Sequence, residues 1–498
     1  MIRPLTQNQR SLSSIASTIG ASTELTGSEL EKIAVTGITS SSNEVEAGDL
    51  FCAFAGAKVH GATFAKDAMK SGAVAILTDA DGAQIVKGLP VLVVSHARKS
   101  AALLSSWFYG EPMRDLFSIA ITGTNGKTTV STLCHQILQS AGQETGLIGT
   151  VETRIGSEVL PSTRTTPEAA DLQSLVATMR ERHCRNLVME VSSHAIALER
   201  VRGSYFAAVG FTNLSQDHLD FHGNMEEYFA AKSKLFSFEY ANQAFINIDD
   251  SHGQVLADRT ELPVQTLSRF NQNATWHFTR IEEGNQFSDI AIRGVGGVLI
   301  ESRTKLRGGF NFDNLLMAVA MCVESGIDSI DIATLIPHLA GPVGRLEPVN
   351  LGQNFTALVD YAHSPDAVAR VLATVREMTE KRVIAVLGCG GDRDSSKRNL
   401  MGQELSLRSD VSIFTSDNPR SEKPEKILEQ MTQGLKISEP SAIVHDRADA
   451  IKLAVNLAQP GDVVIVLGKG HERGQEVNGV VHPFDDRLVL AHAIEAKK

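Results

Sequence analysis

A glycine-rich stretch between a predicted strand and a predicted helix has the residue types that bind phosphate groups. Residues 119–129 read Ile-Ala-Ile-Thr-Gly-Thr-Asn-Gly-Lys-Thr-Thr, and a helical pattern follows at 130–139. Backbone N–H groups at glycines can approach phosphate oxygens closely, Lys127 adds a positive charge, and the Thr128 hydroxyl can bind Mg²⁺. Ile121 stands where the strict Walker pattern has glycine, so a tight turn with an exposed lysine is the alternative. The flanking strand and helix favour a nucleoside triphosphate site.

Composition and charge exclude several classes of protein. A chain of 498 residues is too long for one core and predicts about three domains. The net charge of −11 argues against a nucleic-acid surface, and the five scattered cysteines argue against a metal cluster or a disulfide framework. Residues 1–18 lack a secretion-signal pattern, and no apolar run is long enough to cross a bilayer. We therefore expect a cytoplasmic protein with no nucleic-acid partner and no membrane segment.

Two glycine- and proline-containing stretches, 110–112 and 341–344, are predicted linkers that divide the chain into three α/β domains. Residues 1–109 predict a small domain. Residues 110–342 predict a mostly parallel, doubly wound sheet around the phosphate loop, with antiparallel strands added near its end. Residues 343–498 alternate strands and helices as a Rossmann-like domain does.

Candidate metal and catalytic groups follow the strands of the predicted central domain. Glu190 ends one strand, beside the expected ligand crevice, and could hold a metal ion. The loop at 212–223 after the next strand contains two Asp and two His, although a hydrogen-bonded turn is the alternative. Spacing alone predicts that Lys232 is an ordinary solvent-facing lysine on a helix. Asn311 and Asn314 by themselves predict N-caps.

Polar glycine turns follow three strands of the third domain, at 388–394, 416–420 and 468–472. The carboxyl ends of parallel strands meet at one edge of a sheet, so we expect these loops to converge. Arg393, Arg420 and Glu472 would give this edge charges of both signs. Such a pattern suits a zwitterionic ligand better than a phosphate group.

Taken together, these motifs resemble the Mur ligases, the ATP-dependent amino-acid-adding enzymes that build the peptidoglycan stem peptide. The resemblance covers nearly the whole chain and rests on the motifs at 122–129, 190–194, 212–213, 217–220, 222–223, Lys232, Asn311 with Asn314, 344–347 and 360–365. Within the family, Asp417-Asn418-Pro419-Arg420 resembles the signature of the MurE-type branch, which adds meso-diaminopimelate. Residues 48–51 and 60–61 also fit that branch, whose first domain holds the UDP-sugar.

The resemblance implies binding roles around ATP. Mg²⁺ would bind Thr128 and Glu190, and a second Mg²⁺ would bind His218 and a Lys232 carbamylated by CO₂ (N6-carboxylysine). Lys127, Lys232, His218 and Arg345 would be the catalytic residues, with Arg345 near the phosphates. ATP itself would be held by Gly123, Thr124, Asn125, Gly126, Lys127, Thr128, Thr129, Asn311 and Asn314.

The resemblance also implies the sites of the other two substrates. Diaminopimelate would contact Arg393, Asp417, Asn418, Pro419, Arg420, Gly468 and Glu472. The UDP-sugar dipeptide would contact Ser40, Ser42, Ala57, Lys58, Val59, Arg164, Thr165, Thr166, Ser192, Leu198 and Arg200. Leu198 stands where some relatives have glutamine, and Arg164 stands where they have asparagine.

The implied reaction joins diaminopimelate to the D-glutamate of UDP-N-acetylmuramoyl-L-alanyl-D-glutamate through an acyl phosphate, in a protein expected to be a monomer. Three alternatives remain at this stage. A folylpolyglutamate synthetase uses a similar loop, but the Asp417–Arg420 motif and the full first domain argue against it. A lysine-adding Mur ligase is closer, and Arg420 is the discriminator. A nucleotide-dependent switch protein would leave the charged loops of the third domain and Lys232 unexplained.

Overall fold

Three main sheets organise the chain, one in each of three α/β domains, as the sequence predicted. The structure is a computed structural model that describes residues 2–6, 8–56, 59–162, 164–284 and 287–497. In these residues, no helix is both long enough and apolar enough to cross a membrane.

The first domain is built on a short parallel sheet. Its elements are β1 (Arg10–Ser11), α1 (Leu12–Ile19), α2 (Gly27–Lys32), β2 (Ala34–Val35), β3 (Gly37–Thr39), β4 (Asp49–Cys52), α3 (Ala65–Lys70), β5 (Ala75–Thr78), α4 (Ala80–Ile85), β6 (Val91–Val93) and α5 (Ala97–Phe108). Strands β3 to β6 pair in chain order and all run parallel, while β1 and β2 form a separate antiparallel pair. Leu12, Leu50, Leu92 and Leu104 join helices and sheet in one core.

The central domain contains the largest sheet. Its elements are β7 (Phe117–Thr122), α6 (Lys127–Ser140), β8 (Thr145–Ile148), β9 (Thr153–Ile155), β10 (Glu158–Leu160), α7 (Ala169–Glu181), β11 (Asn186–Glu190), α8 (Ser193–Ala197), β12 (Ala208–Phe211), α9 (Leu219–His222), α10 (Met225–Ser233), β13 (Ala244–Asn247), α11 (Ser251–Arg259), β14 (Val264–Ser268), β15 (Trp276–Glu283), β16 (Ser288–Arg293), β17 (Leu299–Thr304), α12 (Gly309–Glu324) and α13 (Ser329–Leu335).

Strand β7 lies inside this sheet, between the parallel strands β11 and β12. Both of its faces are covered, so Ile119, Ala120 and Ile121 are all fully buried, which is typical of a parallel strand. The strand order is β10-β9-β8-β11-β7-β12-β13-β14-β15-β16-β17. The antiparallel pairing of β15 with β16 and of β16 with β17 confirms the antiparallel strands predicted near the end of this domain.

The third domain is a second doubly wound sheet. Its elements are β18 (Glu347–Pro348), β19 (Thr356–Asp360), α14 (Pro365–Glu377), β20 (Val383–Cys389), α15 (Ser396–Arg408), β21 (Val411–Ser416), α16 (Pro424–Thr432), β22 (Ala442–Ile443), α17 (Arg447–Leu457), β23 (Val463–Leu467), β24 (Gly474–Val477), β25 (Val480–Pro483) and α18 (Asp486–Lys497). The order is β18-β19-β23-β20-β21-β22, and only β18 is antiparallel to its neighbour. Separate apolar clusters cover the two faces.

Two local predictions are wrong. Asn311 and Asn314 are not N-caps, because α12 already begins at Gly309 and Gly308 takes the N-cap position. Lys232 is not solvent-facing, since only 1% of the residue is exposed. Both predictions were made from local sequence pattern alone. The positions of these side chains are instead set by the packing of α10 and α12 against the phosphate loop.

Candidate active site

The loop between β7 and α6 has a backbone that only glycine adopts without strain at two points. Gly123 has φ +147° and Gly126 has φ +89°, both in the left-handed region. A Cβ atom at Gly123 would lie 1.9 Å from Oγ1 of Thr212, and one at Gly126 would lie 2.4 Å from Oδ1 of Asn314. The loop is therefore closely packed between β12 and α12, with the N-terminus of α6 at its end.

Two residues at the end of β12 hold this loop in place. The Thr212 hydroxyl donates to the Asn125 carbonyl oxygen at 2.6 Å, and Oδ1 of Asn213 accepts from the Asn125 amide at 3.0 Å. The Thr124 amide donates to the Asn213 carbonyl oxygen at 2.9 Å. Thr212 and Asn213 thus position the loop, although the sequence motif gave no indication of their task.

Two lysine ammonium groups meet this loop from different helices. Lys127, the first residue of α6, donates to the carbonyl oxygens of Gly123 at 3.0 Å and of Thr124 at 2.9 Å. Lys232 on α10 donates to the Gly123 carbonyl oxygen at 2.8 Å. Burial lowers the pKa of both side chains, and for Lys232 the charge of Lys127 lowers the pKa further. The loop therefore places two lysine side chains next to glycine-rich backbone, a combination suited to phosphate.

Glu190 lies beneath the loop and is fully buried. Its Oε2 accepts from the hydroxyls of Thr128 at 3.1 Å and Thr150 at 2.9 Å, and its Oε1 accepts from the Thr150 amide at 2.8 Å. Thr150 was missed by the sequence reasoning. The available signal was its position just after β8, which pairs in parallel with the strand that ends at Glu190.

The oxygen donors of Thr128 and Glu190 fit Mg²⁺, which prefers hard oxygen ligands and is often held by a carboxylate together with substrate phosphates. Within the described part of the chain, no group of three or more His, Cys, Asp or Glu side chains is arranged to hold a metal ion.

A group of histidines borders the loop on its other side. His218 has φ +55°, and its ring centroid lies 4.8 Å from that of His194. Burial lowers the pKa of His218 to about 3, against the attraction of Asp217, so the imidazole is neutral and suited to ligate a metal ion. Asp217 also faces Lys397, whose Nζ lies 3.6 Å from its Oδ1. This ion pair joins the third domain to the central domain, and the sequence reasoning did not single out Lys397.

A cleft of about 780 Å³ opens between the phosphate loop and the third domain. Asn125, Gly126, Thr128, Thr129 and Asn314 line it from the central domain. Asn311 does not line it, because its side chain donates to the Arg307 carbonyl oxygen at 2.8 Å.

Arg345 lines the same cleft from the third-domain side. Its guanidinium stacks over the Tyr361 ring at 4.6 Å from the centroid. Its buried Nε has no hydrogen-bond partner among the described residues. A guanidinium with an unused donor at this position is available to an anionic ligand in the cleft.

A second cleft, of about 1150 Å³, lies at the edge of the third-domain sheet and reaches His218 and Asp217 of the central domain. The predicted residues Arg393, Asp417, Asn418, Arg420, Gly468 and Glu472 all line it, and Pro419 does not. The three loops therefore converge as expected from the strand ends.

Arg420 is held in a defined position in this second cleft. It has φ +52°, its Nη1 donates to the Gly391 carbonyl oxygen at 2.6 Å, and its Nε donates to Oε2 of Glu476 at 3.2 Å. Its Nη2 makes no hydrogen bond in the part of the chain that the structure describes. The side chain is 22% exposed, so its guanidinium faces the cleft in a fixed position.

A small pocket lies between the first and central domains. Ser40, Leu198 and Arg200 line it together with Arg98 and Glu168. Glu168 forms ion pairs with three arginines, with N···O distances of 3.0 Å to Arg200, 2.5 Å to Arg164 and 3.4 Å to Arg98. Glu199 also lines this pocket, so the three arginines exceed the two carboxylates by one charge.

The remaining residues predicted for the sugar dipeptide occupy several positions. The Thr166 hydroxyl donates to the Glu190 carbonyl oxygen at 2.9 Å and accepts from the Ser192 amide at 3.1 Å, and the Thr165 hydroxyl meets that of Thr150 at 3.0 Å. These three predicted residues therefore lie next to Glu190 and Thr150. Ser42 and Val59 are not part of the small pocket, and Ala57 and Lys58 lie outside the described residues.

Comparison with known proteins accounts for this arrangement. Models of the Mur ligase catalytic domain, the Mur ligase middle domain and the Mur ligase glutamate ligase domain match residues 34–104, 121–322 and 344–470. A relative from Streptomyces coelicolor is 47% identical over 93% of this chain and 92% of its own length. The chain belongs to the Mur ligase family. That relative is named UDP-N-acetylmuramoyl-L-alanyl-D-glutamate--2,6-diaminopimelate ligase.

Other Mur ligases extend the comparison. A relative from Corynebacterium glutamicum with the same name is 43% identical to this chain. The match spans 94% of this chain and 93% of the relative. A solved structure of an enzyme with that name is 31% identical, with a TM-score of 0.68 over 98% of this chain and 99% of the other. The MurF ligase of Thermotoga maritima in complex with ADP, 16% identical, has the same fold with a TM-score of 0.62 over 93% of this chain and 96% of the other.

Proposed function

We propose that this Mur ligase adds meso-2,6-diaminopimelate to the D-glutamate of UDP-N-acetylmuramoyl-L-alanyl-D-glutamate, with ATP converted to ADP and phosphate. The observation that carries the proposal is the second cleft, where Arg393 and Arg420 face the same space as Glu472. Charges of both signs at one site suit an amino acid that has a second carboxylate and a second ammonium. The names of the similar proteins support the same substrate.

Each domain has one substrate in this proposal. Residues 1–109 hold the UDP-sugar, 110–342 hold ATP, and 343–498 hold the amino acid. The dipeptide extends from the first domain to the phosphate loop past Ser40, Arg200, Thr165, Thr166 and Ser192. The three arginines near Glu168, which exceed Glu168 and Glu199 by one charge, support an anionic group there. The protein acts in the cytoplasm as a monomer.

ATP binds at the phosphate loop. Lys127 and the backbone amides of the loop contact the β- and γ-phosphates, and Asn314 and Arg345 line the cleft that receives the nucleotide. Thr128 and Glu190 hold Mg²⁺, and His218 with a carbamylated Lys232 holds a second ion. Bound Mg²⁺ supplies neutralisation of the phosphate charge during transfer.

The chemistry begins with the D-glutamate γ-carboxylate, which is a poor electrophile because an oxide ion would have to leave. A carboxylate oxygen takes the γ-phosphoryl group of ATP, ADP departs, and an acyl phosphate results. The neutral amine of diaminopimelate then attacks the acyl carbon, phosphate leaves, and the amine loses a proton to give the amide. Lys127 stabilises charge on the transferred group, which is the main way proteins accelerate phosphoryl transfer.

An amino-acid screen tests this function. The purified enzyme is given ATP, Mg²⁺ and the UDP-sugar dipeptide, and phosphate release is measured with meso-diaminopimelate, L-lysine and other amino acids in turn. We expect rapid release only with diaminopimelate. Release that does not depend on an amino acid would remove the ligase proposal, and equal release with L-lysine would remove only the choice of amino acid.

A further inference from the structure

A buried lysine behind the lining of the second cleft has no assigned part in the reaction. Lys469 follows β23 and is 0% exposed. Its Nζ donates to Oδ1 of Asn418 at 2.9 Å and to Oε2 of Glu472 at 2.9 Å. Burying an ammonium group is costly unless it is paired and hydrogen-bonded, so its place between two cleft residues is a specific feature of this site.

The hydrogen bonds of Asn418 are compatible with only one orientation of its amide. Lys469 and the Glu476 amide, which lies 3.0 Å from Oδ1, can only donate, so the Asn418 oxygen must face both. Its Nδ2 then points to Glu472 and donates to Oε2 at 2.8 Å. Lys469 and the Glu476 amide together determine which way the Asn418 amide faces.

The same hydrogen bonds fix the Glu472 carboxylate. Oε2 receives two donors, from Asn418 and Lys469. Oε1 receives none among the residues that the structure describes. Since the Glu472 side chain is 31% exposed and lines the cleft, Oε1 is the oxygen left for a ligand.

We propose that Lys469 is a positioning residue for amino-acid recognition: it holds Asn418 and Glu472 so that Oε1 of Glu472 accepts from an ammonium group of the incoming diamino acid. This rests on the proposed function and adds a residue to it. Without Lys469, the Glu472 carboxylate keeps only the Asn418 side-chain amide as a donor and can rotate toward solvent. The ammonium group of the ligand then loses its acceptor.

The variant Lys469→Met removes the ammonium and keeps a long side chain. We expect the KM for diaminopimelate to rise roughly 10- to 100-fold, the scale of a hydrogen bond to a charged group. The KM values for ATP and for the UDP-sugar dipeptide should stay within about 2-fold, since neither ligand lies at Glu472. Lys452→Met, an exposed position on α17, is the matched control and should leave all three values unchanged.

A double-mutant cycle separates positioning from a merely structural role. If Lys469 acts through Glu472, adding Lys469→Met to Glu472→Gln should raise the KM for diaminopimelate by less than about 3-fold further, because interacting residues are not additive. Should Lys469→Met not fold, Lys469→Gln keeps an amide donor and is compared in the same cycle. It should raise the same KM less than Glu472→Gln does.

Two results would overturn the inference. One is a lower melting temperature of the Lys469 variant with an unchanged KM for diaminopimelate. The other is a double variant whose KM for diaminopimelate rises by the product of the increases seen in Lys469→Met and Glu472→Gln. Failure of the proposed function looks different, because the unmutated enzyme would then make no product with diaminopimelate at all.

Discussion

The ammonium groups of Lys127 and Lys232 donate to the same acceptor, the carbonyl oxygen of Gly123, at 3.0 and 2.8 Å. Two like charges at one oxygen repel each other, and for each lysine the charge is also disfavoured by burial. Phosphate oxygens would relieve this for Lys127, and conversion to a carbamate would relieve it for Lys232. The proposed binding of ATP and the proposed carbamate at Lys232 would each remove one part of this repulsion.

Lys127 should act mainly in the transition state. In the proposed complex its ammonium would face the charge that develops on the transferred phosphoryl group and on the leaving oxygen. We expect Lys127→Ala to lower kcat by on the order of 10²-fold or more, the effect of losing one electrostatic stabiliser. Steady-state kinetics with varied ATP test this. An unchanged kcat with a raised KM for ATP would show that the lysine only binds the nucleotide.

Lys232 should carry a carbamate in the active enzyme. Burial lowers its pKa, so more of the amine is neutral at a given pH, and the neutral amine is the form that combines with CO₂. We expect a carbamate signal in the ¹³C NMR spectrum of enzyme equilibrated with ¹³C-bicarbonate.

The signal should be absent in Lys232→Ala and present in Lys234→Ala, an exposed control on the neighbouring turn. An active enzyme that shows no carbamate signal under CO₂ would contradict this assignment.

Arg420 should select diaminopimelate over lysine. Lysine lacks the distal carboxylate, so it would leave the Arg420 guanidinium without its ligand partner, and such sites reject the lacking analogue by roughly 10⁴-fold. Arg420→Ala should lose most activity with diaminopimelate and narrow the gap to lysine. Arg420→Lys should not restore it fully, because an ammonium cannot form the two parallel bonds of a guanidinium. The kcat/KM ratio for the two amino acids measures this, with the exposed Arg408→Ala as control.

The buried pair of Arg447 and Asp486 should stabilise the loops that form the second cleft. Both side chains are 0% exposed, and Arg447 also donates to the carbonyl oxygens of Ser416 and Leu467, where β21 and β23 end. Arg447→Ala leaves a buried carboxylate unpaired and should lower the free energy of unfolding by about 3–5 kcal/mol.

Arg376→Ala is the comparison for this pair. Arg376 pairs with Asp410 at the surface, each side chain being 42% exposed, and the expected loss is below about 1 kcal/mol. Urea unfolding of the full chain measures both variants. Equal losses in the free energy of unfolding would mean that the buried pair stabilises the fold no more than the surface pair does.

The sequence was sufficient for the phosphate loop, the alternating strands and the convergence of the third-domain loops. Each of these depends on local patterns or on the rule that parallel strands end at one edge. Lys232 was mispredicted from spacing, because a helix position does not reveal that α10 packs onto the Gly123 carbonyl oxygen. Only the family resemblance suggested a role for it.

Contacts between distant segments were the other gap. Thr150 donates to Glu190, Lys397 approaches Asp217 across the domains, and Lys469 joins Asn418 to Glu472. Each depends on which loops meet in space, and none has a distinctive spacing in the sequence. Asn311 illustrates the reverse case, since a motif residue turned to its own helix start instead of the cleft.

A competition experiment tests the central claim most directly. The unmutated enzyme is incubated with ATP, Mg²⁺, the UDP-sugar dipeptide and equal concentrations of meso-diaminopimelate and L-lysine. The products are identified and quantified by mass spectrometry. We predict ADP together with a single UDP-sugar tripeptide whose mass includes diaminopimelate. A lysine-containing product in comparable amount, or ATP hydrolysis without any tripeptide, would contradict the account.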